Sequence, residues 1–150
     1  MIKFEKINYE YVQSKIPGLN AVYERYSDKI ICMYLFGSIN SGRATALSDI
    51  DIAILFDRML NNEEMEFYRN KILEDLSHYF KTEEIDLINL NRAPLSVQYG
   101  VIKNKSNMYC KDFSKAADYE NKTVLKYLDF KPYKDELNGA FVDALIAGGV

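Results

Sequence analysis

Apolar positions along the chain fall into two periods. Leu19, Val22, Tyr23 and Tyr26 recur at helical spacing, within a stretch (residues 8–27) interrupted at Pro17-Gly18, which predicts one or two helices. "IICMYLF", Ile30 to Phe36, is apolar throughout and of strand length, as expected for a strand buried on both faces. A second such strand runs from Asp49 to Phe56. Asn61 followed by Glu64 forms an N-cap signature. The stripe Met65, Tyr68, Ile72, Leu76, Tyr79 then predicts a helix to about Phe80. "EEIDLINL", Glu83 to Leu90, reads as a third strand, and Pro94 opens a further helix with Leu95, Val97, Gln98, Val101 and Ile102. "NMYC" (107–110) reads as a short edge strand, and a last helix is expected from Phe113 to Leu128. In the tail after it, a short helix around Phe141 to Ile146 is the expectation. The order α, β, loop, β, α, β, α predicts an α/β or α+β sheet with helices packed against it.

The polar residues that interrupt this pattern carry the chemistry. Asp49 and Asp51 lie one residue apart at the head of an apolar strand, so they share a face while Ile50, Ile52 and Ile54 take the other. Two like charges on one face cost stability unless a cation is bound, and hard divalent ions such as Mg2+ suit carboxylate oxygens. Asp86 is a charge inside another apolar strand and completes a carboxylate cluster if that strand is a neighbour. Glu84 is the fallback. The plainer reading is that Asp49 caps the strand and Asp51 is solvated; Asp-x-Asp alone does not exclude it.

The loop before the acids tips the balance. Gly37 allows backbone conformations and close approaches closed to other residues. Ser38 adds a hydroxyl and an N–H suited to phosphate, and Arg43, beside Gly42, can pair with one. Neither a Walker sequence nor G-x-G-x-x-G is present. A phosphate cradle ending one strand and a metal-binding acid pair opening the next together suit a metal-bound nucleoside triphosphate.

Composition narrows the setting. The 150 residues suit one domain; 48% are hydrophobic and 27% charged, and the net charge is −3, which provides no basic stripe for DNA or RNA. Cys32 and Cys110, without paired spacing, read as free thiols in a reducing compartment. With no signal peptide or apolar span expected, the chain reads as cytoplasmic. His78, the single histidine, lacks a second ligand at zinc spacing and reads as a surface or packing residue.

Gly37-Ser38, ten residues, then Asp49-x-Asp51 resembles the GS-x10-DxD signature of the DNA polymerase β-like nucleotidyltransferases. The short chain, with "SDIDIAILF", "IDLINLNRAP" and "YLDFKP", most resembles minimal nucleotidyltransferase antitoxins of the MntA type, from HEPN/MNT toxin–antitoxin pairs. The resemblance implies a nucleotidyltransferase fold in a single domain over 1–150, with a catalytic core about 19–112 and a C-terminal helix and tail about 113–150. It implies an ATP-using adenylyltransferase with two Mg2+ ions, which silences a HEPN ribonuclease by attaching AMP to its tyrosine within a hetero-oligomer. By position, Asp49, Asp51 and Asp86 would bind metal, with Asp86 also able to take the tyrosine proton. Gly37, Ser38, Ser41, Gly42, Arg43 and Ser48 would line the triphosphate. Relatives often carry G-S-x-x-R-G, whereas here Ser41 precedes Gly42 and Arg43 follows it. Two alternatives stand beside this one. One is nucleotidyl transfer to a small-molecule hydroxyl, as in aminoglycoside nucleotidyltransferases, whose additional C-terminal helical structure this sequence does not show. The other is an antitoxin that masks its partner by binding alone.

Overall fold

The computed structural model describes the backbone of residues 9–37 and 50–148, and the side chains of residues 10–37 and 50–131. Helix α1 (Tyr9–Lys15) passes through a 3-10 turn (Ile16–Gly18) into α2 (Asn20–Arg25), so the interruption falls at Pro17-Gly18 as the sequence predicts. Strands β1 (Ile30–Phe36) and β2 (Ile50–Phe56) are followed by α3 (Asn62–Phe80) and β3 (Ile85–Asn89). A 3-10 turn (Leu90–Arg92), α4 (Leu95–Asn104), β4 (Asn107–Cys110) and α5 (Phe113–Gly148) complete the order.

The sheet order is β3-β2-β1-β4. β1 is antiparallel to both β2 and β4, while β2 and β3 run parallel, joined by the crossover helix α3. Apart from Asp51 at the head of β2, the two central strands are almost wholly apolar because both of their faces are covered. Ile50, Ile52, Ile54 and Phe56 pack with Met33 and Leu35 under α1, α2 and α3. Cys32, Tyr34, Ala53 and Leu55 pack with Val101 of α4 and Ala116 of α5 on the opposite face. Strand alternation thus sorts the chain into two apolar layers sandwiching one sheet.

Local signals set most boundaries. Asn61 caps α3 through a full capping box: its side chain accepts from Glu64 N at 2.8 Å, and Glu64 Oε1 accepts from Asn61 N at 3.0 Å. Gly18 leaves room for Tyr79, since a Cβ there would stand 2.5 Å from Tyr79 Oη and the ring would have to shift. Two expectations are corrected, those for β3 and for the last helix. β3 is shorter than 83–90: Thr82 Oγ1 caps Glu84 N at 3.1 Å ahead of the strand, and the Asn89 side chain accepts from Asn91 N to turn the chain after it. β2 is described from Ile50; Asp49 lies outside the described residues. The last helix neither stops at Leu128 nor restarts near Phe141 but runs unbroken for 36 residues, about 54 Å at helical rise. It passes through Pro132, which has no N–H to give the ladder. Among the described residues, no helix is long and apolar enough to cross a membrane.

Candidate active site

The register of three strands builds the candidate site. In the parallel β2–β3 pair, Asp51 stands directly opposite Asp86. In the antiparallel β1–β2 pair, Asp51 stands opposite Phe36, the residue before Gly37. Asp51 is half-buried and Asp86 exposed, so two carboxylates face one another at one end of the sheet. Alternation puts Asp51 on the α4/α5 face, with Ala53 and Leu55 behind it and the isoleucines on the other side, as its spacing predicts. The same alternation puts Asp86 on that face, with Leu87 turned into the opposite layer. Like charges directly opposite in a sheet are destabilising by themselves. Their oxygen donors suit a hard divalent cation.

Gly37 fits this arrangement in two ways. Its φ is +85°, a region side chains rarely adopt, and a Cβ on it would meet Asp51 Oδ2 at 2.0 Å and Cγ at 2.8 Å. The Asp51 carboxylate thus lies against the bare backbone of the loop that follows β1. No larger residue fits at position 37 while Asp51 keeps this rotamer.

The strands around the pair are tied at several points. Ile50 N donates to Glu84 O at 2.9 Å, joining the heads of β2 and β3. Glu84 itself precedes β3, so its contribution here is this main-chain bond. Arg69 of α3 donates from Nη2 to Leu87 O at 2.8 Å, anchoring edge strand β3 one residue past Asp86. Beneath Asp51 on the same face sits Tyr34, a diagonal cross-strand neighbour at about 7–8 Å between Cα atoms. Its hydroxyl donates to Glu120 Oε2 at 2.9 Å, and Lys105 pairs with the other oxygen of Glu120 while lying 5.4 Å above the Tyr34 ring. Burial raises the Tyr34 pKa strongly, and the neighbouring Cys32 and Glu120 add to it, so the phenol stays neutral. Sequence reasoning passed over this polar network because Tyr34 sits within an apolar run; only its hydroxyl among aliphatic neighbours hinted at a partner.

Of the predicted residues, Gly37, Asp51 and Asp86 are brought together. Asp49, Ser38, Ser41, Gly42, Arg43 and Ser48 lie outside the described residues. Among the described residues, no group of three or more His, Cys, Asp or Glu converges as a metal site, so the described part is a carboxylate pair. His78 is exposed near the end of α3, in keeping with a surface role. Surface cavities of about 470 and 390 Å³ sit at the far end of the sheet, around Tyr23, Ser27 and Lys111, away from the carboxylates.

Comparison with known proteins points to one fold. A family model described as polymerase beta, nucleotidyltransferase matches residues 19–114. A crystal structure of a toxin–antitoxin with AMP-PNP superposes with a TM-score of 0.66 at 22% identity, covering 86% of this chain and 97% of that one. An MntA–HepT toxin–antitoxin structure superposes at 0.63 with 19% identity, over 87% and 98% of the two chains. The tri-AMPylated Shewanella oneidensis HEPN toxin in complex with MNT antitoxin gives 0.64, also at 19% identity, over 87% and 98%. No curated protein matches the sequence.

Proposed function

Because the chain belongs to the polymerase β nucleotidyltransferase family, we propose that it is the antitoxin of a toxin–antitoxin pair, a Mg2+-dependent adenylyltransferase that moves AMP from ATP to a tyrosine of a HEPN toxin. The observation that carries the catalytic part is the register of Asp51 against Asp86, with the Asp51 carboxylate laid on Gly37. The acceptor rests on the structural neighbours, which are complexes of MNT antitoxins with HEPN toxins, one of them AMPylated. The length of α5 removes the absence of C-terminal helical structure as a separate argument for a protein acceptor.

In this reading Asp49, Asp51 and Asp86 hold two Mg2+ ions; the donor set is all carboxylate, which suits that cation. Bound there, the ions supply charge that stabilises the entering and leaving oxygens of an in-line displacement. The loop of Gly37, Ser38, Ser41, Gly42, Arg43 and Ser48 binds the triphosphate through backbone N–H groups, hydroxyls and the guanidinium. Asp86, exposed at the rim, accepts the phenolic proton as the tyrosine oxygen bonds to the α-phosphorus and the bond to pyrophosphate breaks. Tyr34, Glu120 and Lys105 form the floor below Asp51 and tie β1, the strand beside it, to α5. Residues 19–112 form the catalytic core, and 113–150 the C-terminal helix and tail. The reaction belongs in the cytoplasm, where ATP and a ribonuclease toxin meet, and needs no direct contact with nucleic acid.

The test is incubation with α-labelled ATP, Mg2+ and the product of the gene adjacent to that of this chain. Label should appear on a tyrosine of that partner and vanish with Asp51→Asn. A stable complex of the two proteins that never acquires label sinks the enzymatic reading and leaves masking by binding.

A further inference from the structure

The two cysteines, far apart in sequence, are brought face to face by the sheet. In the antiparallel β1–β4 pair, Cys32 is the register partner of Cys110. Cys32 belongs to the apolar layer under α4 and α5, and Cys110 packs against that same layer, so both side chains leave the sheet on one side. Directly opposed residues of antiparallel strands have Cα atoms about 4.5–5.5 Å apart. That range lies inside the roughly 4.4–6.8 Å that a disulfide spans. Both thiols are free.

We propose that Cys32 and Cys110 form a dithiol modification site, at which a small disulfide of the glutathione class closes a cross-strand disulfide between β1 and β4. The order of events follows from exposure. Cys32 is fully buried on a central strand, whereas Cys110 is half-buried at the end of an edge strand. The Cys110 sulfur attacks the small disulfide first, forming a mixed disulfide and releasing one small thiol. The Cys32 sulfur then attacks the Cys110 sulfur and releases the second. The protein loses two electrons and two protons, and the small disulfide is reduced to two thiols, so the exchange balances. Burial pushes the Cys32 thiol up to about 12, and it raises Cys110 as well, so each thiol alone is a poor nucleophile. Proximity supplies what acidity does not, because the second attack is intramolecular.

The closed bond makes a ring of residues 32–110, which enclose β2, α3, β3 and α4. Constraint of so long a loop stabilises the chain mainly by restricting its unfolded state. An increase in unfolding midpoint of about 4–16 °C is expected. The experiment is oxidised glutathione added to the full, folded chain, followed by mass spectrometry without reduction. The expected product is a monomer lighter by two hydrogens, with Cys32 and Cys110 peptides linked and the higher midpoint reversed by dithiothreitol. Cys32→Ser should stop at a glutathione adduct on Cys110, and Cys110→Ser should stay unmodified while folded. A folded wild-type chain that remains unreacted, stops at the mixed disulfide, or links only between molecules overturns the proposal. So does Cys110→Ser reacting as fast as wild type.

Discussion

Replacement of Gly37 by Ala tests the site at its most confined point. Two costs arise. Backbone in the left-handed region costs a side-chain-bearing residue about 1–2 kcal/mol, and φ at Gly37 is +85°. The new methyl would also lie 2.0 Å from Asp51 Oδ2, below the 3.0 Å that Cβ contacts respect, so the carboxylate must retreat by about 1 Å. Misplacement of a reacting group by about 1 Å can cost about 10²-fold in rate. The strain alone should lower the unfolding midpoint by about 2–8 °C for a chain of this size. The assay is AMP transfer to the HEPN partner alongside thermal melts of the same preparations. Transfer should fall by about 10²-fold or more at a temperature where Gly37→Ala remains folded. The same change in an Asp51→Ala background separates the two costs, because the carboxylate clash is gone and only the backbone cost and a 3.0 Å approach to the Cβ of residue 51 remain. Gly37→Ala should therefore lower the midpoint less in that background than in wild type. Wild-type activity in Gly37→Ala, or an identical midpoint loss in both backgrounds, would refute the claim that Asp51 is seated on the bare backbone.

Other consequences follow from the same geometry. Mg2+ should raise the midpoint of the wild-type chain and leave Asp51→Asn and Asp86→Asn nearly unmoved, because a cation relieves the facing carboxylates; an equal Mg2+ shift in all three removes the pair as the metal site. Without metal, Asp86→Asn should be as stable as wild type or more so by about 0.2–1 kcal/mol, read from denaturant midpoints. Asn61→Ala breaks the α3 capping box and should cost about 1 kcal/mol while transfer activity of the folded chain is unchanged. Burial, with the Asp75 hydrogen bond in the case of Tyr26, pushes Tyr26 and Tyr109 up to about 12 from an ordinary 10.0. The folded chain then holds protons that the unfolded chain releases, so their stabilisation is complete below pH 10 and is lost as pH rises towards 12. Tyrosinate absorbance should therefore appear at higher pH in the native than in the denatured protein, and coincident curves would contradict the burial of these hydroxyls.

The linear pattern carried the elements well because each depends on neighbours a few residues away. Ile30–Phe36 is a strand from its apolar run alone, and α3 begins at Asn62 because Asn61 and Glu64 satisfy each other's backbone. The facing of Asp51 away from Ile50 and Ile52 follows from a period of two and needs no partner strand. Boundaries that depend on longer-range terms were less legible. Thr82 and Asn89 shorten β3 through side-chain bonds to the backbone, and α5 outruns Leu128 despite Pro132.

By itself, the sequence determined which segments are buried, which residues could bear metal and phosphate, and which face Asp51 would take. Only the tertiary structure decided that β3 lies parallel to β2 in the register that sets Asp86 against Asp51. It also set the Asp51 carboxylate on Gly37, joined Tyr34 to Glu120, and placed Cys32 across from Cys110. The physical reason is one of range. Alternation and capping are local and written in adjacent residues. Strand pairing instead arises from two apolar layers that must be closed at once by helices distant in the chain.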